Sequence, residues 1–310
     1  MILKVSNIMN SMRNIWIMIF IITLVLTGCG GDNGAPSPGE NPTAAYIENK
    51  GSDTIVNIAL AWAEEYQKLQ PEVRISVTGG GSGTGITALI NGSIPLANAS
   101  RQIKPEELES ARTAGLDPQE FIIARDAIAV IVHPENPINQ LTIEQLSAIY
   151  TGRINNWSEL GGEDRPIVRL SRETNSGTHV FFLEKVVRMD DSSDKTIFAA
   201  DTCLLPSSEG IISEVRENPN AIGYDGLGYV TDEVKLVAVS SLENPGEFVL
   251  PSVESVSEGT YYISRSLYMY TQNAPTGELK KYLDWLLSAD AQQIVANMGF
   301  VPIIGSGVTR

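Results

Sequence analysis

Apolar residues recur every three or four positions at Ile55, Ile58, Ala59, Trp62, Tyr66 and Leu69. That spacing predicts an amphipathic helix, and Pro71 closes it. Val73-Arg74-Ile75-Ser76-Val77 then alternates with a period of two, the pattern of a half-buried strand. A Gly-rich run over 78–85 leads into a second helix over 86–91, and Leu96-Ala97-Asn98-Ala99 is a short apolar strand ending on Ser100 and Arg101. Farther on, Pro166-Ile167-Val168-Arg169-Leu170 is strand-like. It runs through Arg172-Glu173-Thr174-Asn175-Ser176-Gly177-Thr178 into 180–187, where the apolar spacing is helical again. The stretches 121–132 and 261–270 read as long strands, 142–151 and 209–217 as helices, 221–230 and 235–239 as strands, 276–288 and 289–298 as terminal helices. Helices and strands interleave throughout, so the fold class is α/β.

Residues 1–28 stand outside this pattern. Lys4 and Arg13 precede an apolar run over 15–26 that is short for a membrane span. The run ends Leu26-Thr27-Gly28-Cys29, a lipobox-like sequence, so we expect cleavage before Cys29 and a lipid on Cys29. Residues 30–42 are rich in Gly, Pro, Asn and Ser with no apolar period, a flexible tether. Only Cys29 and Cys203 exist, so an acylated Cys29 leaves no disulfide framework. Cys203 reads as a small buried apolar residue. Two His, His133 and His179, are too few for a His-rich metal site, and the sequence calls for no cofactor.

Charge narrows the partners. The chain carries −15; without residues 1–28 it has 20 basic against 37 acidic residues, or −17. A surface this acidic argues against nucleic acid as a partner. It does not exclude a small anion in a cleft, because local dipoles and an Arg dominate at contact distance.

Candidate anion cradles recur along the chain. In Arg172 to Thr178 a strand turns into a helix start, with Ser176 or Thr178 near the N-cap and Gly177 permitting close approach. Helix N-termini present free N–H donors and the positive end of the dipole, and Arg172 adds a planar cationic fork. Gly51-Ser52-Asp53-Thr54 opens the first helix with three N-cap residue types. Gly79-Gly80-Gly81-Ser82-Gly83 forms a further nest; it lacks the Lys of a Walker loop, and Thr84 stands where a dinucleotide fingerprint needs Gly.

These motifs occur in a fixed order: Gly51-Ser52-Asp53-Thr54, Gly81-Ser82-Gly83-Thr84-Gly85-Ile86, Ala99-Ser100-Arg101, Arg172-Glu173-x-x-Ser176-Gly177-Thr178, Ile222-Gly223-Tyr224-x-Gly226-Leu227-Gly228-Tyr229 and Tyr262-Ile263-Ser264-Arg265-Ser266-Leu267-Tyr268, with Gly299-Phe300-Val301-Pro302 near the end. Through nearly all of 46–305 the chain resembles the phosphate-binding lipoproteins of bacterial phosphate ABC importers. The resemblance implies a two-lobed, type II periplasmic-binding-protein-like fold, with mixed sheets flanked by helices and a hinge of crossover strands. Lobe one would be 44–127 plus 265–310 and lobe two 128–264. It further implies a monomer without enzymatic activity, held by its lipid outside the cytoplasm, that clamps inorganic phosphate and delivers it to a permease. The family's ligand contacts fall on Asp53, Thr54, Ser82, Arg172, Ser176, Gly177 and Thr178, and Ser100 and Arg101 join the candidate site. In some members the position of Arg101 is an Asp that accepts the ligand's proton, and that of Asp53 is Ser or Thr. Here the acid sits in the first loop and the Arg in the third.

Other readings of these residues compete with this one. Ser176 and His179 lie on one helix face, but no acid orients the His as a hydrolase requires. The run Met189-Asp190-Asp191-Ser192-Ser193-Asp194-Lys195 lacks the Gly and terminal Glu of an EF-hand and reads as a solvated loop. A sensory or scavenging protein for sulfate, molybdate or tungstate is the main alternative. A carboxylate in the site separates the two, because it accepts a proton from hydrogen phosphate and repels a fully ionised oxyanion. Asp53 therefore favours phosphate, unless it only caps the first helix.

Overall fold

The structure is a computed structural model and describes residues 45–303. The expected targeting segment, Cys29 and the tether lie outside the described residues.

In chain order the elements are β1 (Ala45–Gly51), α1 (Asp53–Leu69), β2 (Val73–Thr78), α2 (Ser82–Ile90), β3 (Leu96–Ala99), α3 (Pro105–Thr113) and β4 (Gln119–Val132). Then come β5 (Gln140–Thr142), α4 (Ile143–Tyr150), β6 (Val168–Arg172), α5 (Gly177–Phe182), β7 (Cys203–Leu205), α6 (Ser208–Glu217) and β8 (Ala221–Gly226). The last are β9 (Lys235–Ser240), β10 (Phe248–Val249), α7 (Val253–Ser257), β11 (Ser264–Thr271), α8 (Gly277–Leu286) and α9 (Ala289–Asn297). No described helix is long and apolar enough to cross a membrane.

The main strand order is β2-β1-β3-β11-β4-β8-β6-β7. One element joins its two halves. The first nine residues of β4, through Ala127, pair antiparallel with β11, and the last five, from Ile128, pair with β8. The chain thus builds two lobes that share a single strand. It returns beside its own crossing: the Ile128 amide donates to the Ile263 carbonyl at 2.8 Å.

Each lobe is held by its apolar faces. In α1 the buried stripe is Ile55, Ile58, Ala59, Trp62, Ala63 and Tyr66; burying each large side chain stabilises by about 1.5–3 kcal/mol. Leu69, expected in that stripe, is 56% exposed at the helix end. In the other lobe Phe182 stacks on Tyr224 with ring centroids 3.6 Å apart, and Tyr150 meets both edge-on.

Two boundaries differ from the sequence reading. Helix α2 begins at Ser82, four residues before the expected start, so Gly83 and Gly85 are helical. A Cβ on Gly85 would lie 2.5 Å from the Lys50 carbonyl oxygen and 2.6 Å from Gly51 Cα. The glycine is there because the helix presses directly on β1. Strand β6 likewise runs on to Arg172, which makes that Arg a strand residue. Cys203 also departs from expectation: it is exposed. It lies on β7, a three-residue strand at the margin of the sheet that pairs only with β6.

Candidate functional site

The loops after β1, β2, β3 and β6 converge where the lobes meet. Asp53 is the first residue of α1, and Ser52 holds the N-cap position without a side-chain capping bond. The Asp53 carboxylate does not cap its helix. Its Oδ1 accepts from the Gly80 amide at 2.9 Å, and its Oδ2 accepts from Arg172 Nη2 at 2.7 Å. The capping alternative is thereby corrected: at the first helical turn the side chain leans away from the helix amides, toward a cation supplied by the other lobe.

Arg172 is 1% exposed and its fork is filled. Nη1 donates to Ser208 Oγ at 2.8 Å and reaches Asp225 Oδ2 at 3.5 Å; Nη2 also donates to the Pro206 carbonyl at 2.9 Å. Nε is buried without a hydrogen-bond partner. Asp225 is fully buried, and burial raises its carboxyl while Arg172 pulls it back down.

Hydroxyls surround this ion pair. Thr54 Oγ1 and Thr178 Oγ1, from opposite lobes, are 3.0 Å apart. Ser82 Oγ accepts from the Ser100 amide at 3.0 Å and lies 3.2 Å from Ser100 Oγ. Ser176 is the N-cap of α5, as expected, and its Oγ accepts from the Thr178 amide at 3.2 Å. A Cβ on Gly177 would stand 2.5 Å from Ser100 Oγ and clash with Ser82 Oγ, so only Gly permits this approach. Asp53, Thr54, Ser82, Ser100, Arg172, Ser176, Gly177 and Thr178 are therefore brought together. Arg101 is not. Its guanidinium is held bidentate by Glu107 at 2.7 and 2.8 Å, at the start of α3. Burial alone would raise the Glu107 carboxyl, but Arg101 and the Lys104 amide bring it below its ordinary value.

Several residues of the cluster escaped the sequence reading. Arg265 on β11 donates to Asp126 Oδ2 at 2.9 Å and to Thr178 Oγ1 at 3.0 Å. Asp126, from β4, is fully buried, and desolvation lifts its carboxyl to about 6 against the opposing pull of Arg265. Asn175 bridges the lobes, its Nδ2 donating to the Gly80 carbonyl and its own carbonyl accepting from the Gly83 amide. The Tyr229 hydroxyl donates to the Asp53 carbonyl at 2.6 Å. The motifs quoted above contain Arg265, Asn175 and Tyr229, but their spacing gave no sign of these contacts.

Ser176 and His179 do not pair. His179 Nδ1 lies 2.9 Å from the Arg172 carbonyl and 3.0 Å from Ser171 Oγ, and burial lowers its pKa. Among the described residues no cluster of His, Cys, Asp and Glu is arranged to hold a metal. What the site offers is two guanidinium groups, five hydroxyls and helix N-termini, with one carboxylate, Asp53, on the rim. That is the chemistry of a protonated oxyanion site.

Comparison with known proteins agrees. The PBP superfamily domain profile matches residues 36–290. The phosphate-binding protein PstS of Pseudomonas aeruginosa is 34% identical over 274 residues, covering 83% of each chain. That of Bacillus subtilis is 30% identical over 297 residues, covering 93% of this chain and 92% of its own. A crystal structure of a putative phosphate ABC transporter substrate-binding protein with bound phosphate, from Clostridium perfringens, superposes with a TM-score of 0.73 at 34% identity, covering 83% of this chain and 99% of that one. The chain belongs to the PBP superfamily and, within it, to the PstS family of phosphate-binding proteins.

Proposed function

We propose that this protein captures inorganic phosphate between its two lobes and delivers it to the permease of an ABC importer. The lobes are 44–127 plus 265–310 and 128–264. In this reading Cys29 carries the lipid that holds the protein at the outer face of a membrane, the working unit is a monomer, and no bond of the ligand is made or broken. The observation that carries the reading is the Asp53–Arg172 contact of 2.7 Å across the lobes, beside the Thr54 and Thr178 hydroxyls. The guanidinium supplies charge, and the hydroxyls and helix amides supply donors. Asp53 has four acceptor sites, of which Arg172 and the Gly80 amide occupy two. A free one can take the proton of hydrogen phosphate, which sulfate does not have. The relatives named as phosphate-binding proteins and the phosphate-bound structure support the same ligand.

The test is calorimetry on protein stripped of ligand, first with phosphate and then with sulfate. We expect one phosphate per chain and much weaker sulfate binding. Losing a desolvated charge partner costs about 2–5 kcal/mol, so Arg172→Ala weakens phosphate binding roughly 30-fold to several thousand-fold. Equal affinity for the two anions, or an Arg172→Ala protein within twofold of wild type, overturns the reading.

A further inference from the structure

The cluster contains a second guanidinium whose work is set by donor and acceptor counting. Arg265 stands opposite Asp126 in the β11–β4 register, one position from where β4 leaves one lobe for the other. It is 7% exposed. Nη1 donates to the Ser100 carbonyl at 3.0 Å, and Nε and Nη2 face Asp126 Oδ2 at 3.3 and 2.9 Å. Nη2 also faces Thr54 Oγ1 at 3.3 Å and Thr178 Oγ1 at 3.0 Å. One nitrogen thus touches a hydroxyl from each lobe.

A guanidinium has donors only, and a hydroxyl has one proton and two lone pairs. Nη2 has two N–H bonds; one goes to Asp126 and the other lies between the two hydroxyls. Because a guanidinium accepts nothing, neither threonine's proton points at it. Their mutual 3.0 Å contact consumes one proton at most. The other is aimed away from the cation. When an anion separates the pair, both protons are free to donate to it. Asp126 meanwhile neutralises Arg265, so the pair orients its neighbours without adding net charge to the site.

We infer that Arg265, fixed by Asp126, is a positioning residue that locks the Thr54 and Thr178 hydroxyls as hydrogen-bond donors and so dictates that unprotonated oxygens of the bound anion face the hinge. The ligand's protonated oxygen is left for Asp53. The inference rests on the phosphate reading above and deepens it: recognition is divided between a donor-only wall at the hinge and a carboxylate at the opposite rim. Arg172 supplies charge, whereas Arg265 supplies polarity.

A double-mutant cycle on phosphate binding by the whole purified protein tests this, using Thr54→Val, Arg265→Gln and the combination. Glutamine can donate or accept, so it no longer fixes which way the hydroxyl points. Thr54→Val alone is expected to weaken binding by at least tenfold. In the Arg265→Gln background the same change is expected to cost less than threefold. Thermal melting of all four proteins separates this from a folding role, because a scaffold residue shifts stability without coupling to Thr54 in binding. If Arg265→Gln does not fold, Arg265→Met combined with Asp126→Asn carries the cycle. That pair removes the donor-only group together with the buried charge it neutralises, and the cost of Thr54→Val is again expected to shrink at least threefold. Additive losses in the cycle that folds overturn the inference while leaving phosphate capture intact. A wild-type protein that binds no phosphate overturns capture itself, and the inference falls with it.

Discussion

Asp53 is the residue on which the proposed selectivity for phosphate turns. Its oxygens face Arg172 and the Gly80 amide, and helix α1 begins without its help. Asp53→Asn keeps one acceptor oxygen but removes the carboxylate repulsion toward sulfate. We expect the phosphate-to-sulfate preference to fall more than about tenfold, partly through gained sulfate binding; paired titrations at neutral pH measure it. Asp126 makes a different prediction, because its folded value of about 6 lies above its ordinary 3.8. Between those values the folded protein binds more protons than the unfolded chain. This group's contribution to stability is therefore full in acid and is lost as pH rises through about 6. Denaturant melts of the ligand-free protein across that window should show the decline, and Asp126→Asn should flatten it. Legibility also divides here. Asp53, Ser82, Ser176 and Thr178 were readable because glycines and hydroxyls at a helix start are a local signal. Asp126 and Arg265 lie 139 residues apart inside apolar strands, and only long-range pairing makes them neighbours.

The Gly-rich run after β2 shows how an element can hide in a composition that suggests a loop. Four glycines in five residues argued for an irregular turn until Ile86, yet α2 starts at Ser82. Gly85, inside that helix, lets it sit close to β1, while Gly81 and Gly83 face Asn175. Gly85→Ala should lower stability by about 1–3 kcal/mol, the usual cost of overpacking, since the obstacle is backbone that cannot step aside. Comparison of denaturant midpoints with wild type checks this. Strand β7 hid the opposite way. Thr202-Cys203-Leu204-Leu205 looks like core, but a strand at the sheet margin leaves side chains in water, and Leu204 is 46% exposed. Cys203 should accordingly react to completion with a thiol reagent in the native protein, and labelling only after denaturation would contradict its exposure. The long strands were easier. Near-continuous apolar runs such as 121–132 admit few alternatives once they exceed a turn's length.

At the scale of the molecule, direct contacts such as Asp53–Arg172, Thr54–Thr178 and Asn175–Gly80 link the lobes through the ligand cluster. A ligand gripped from both sides stabilises the closed arrangement by its differential affinity for it. Solution scattering of stripped protein should therefore show compaction when saturating phosphate is added, with the dihedral change near 128–132 and 264–268. An unchanged radius of gyration, with ligand removal verified, contradicts a hinge.

The shared strand β4 has a consequence for how the molecule is made. The segment from Ile128 to Ile263 is contiguous, whereas the other lobe needs β11 paired between β3 and β4. That pairing joins Tyr268 to Ala99, residues 169 positions apart, so its loop closure is costly and its rate slow. A nascent chain emerging from its N-terminus must hold β1, β2 and β3 without their central neighbour until residue 271 has appeared. The later-made half can finish first. During refolding, amides of β6 and β8 should gain protection from hydrogen exchange before those of β3. A protein that crosses a membrane before folding would meet this order afresh on the far side, with its earliest residues waiting longest for their partner.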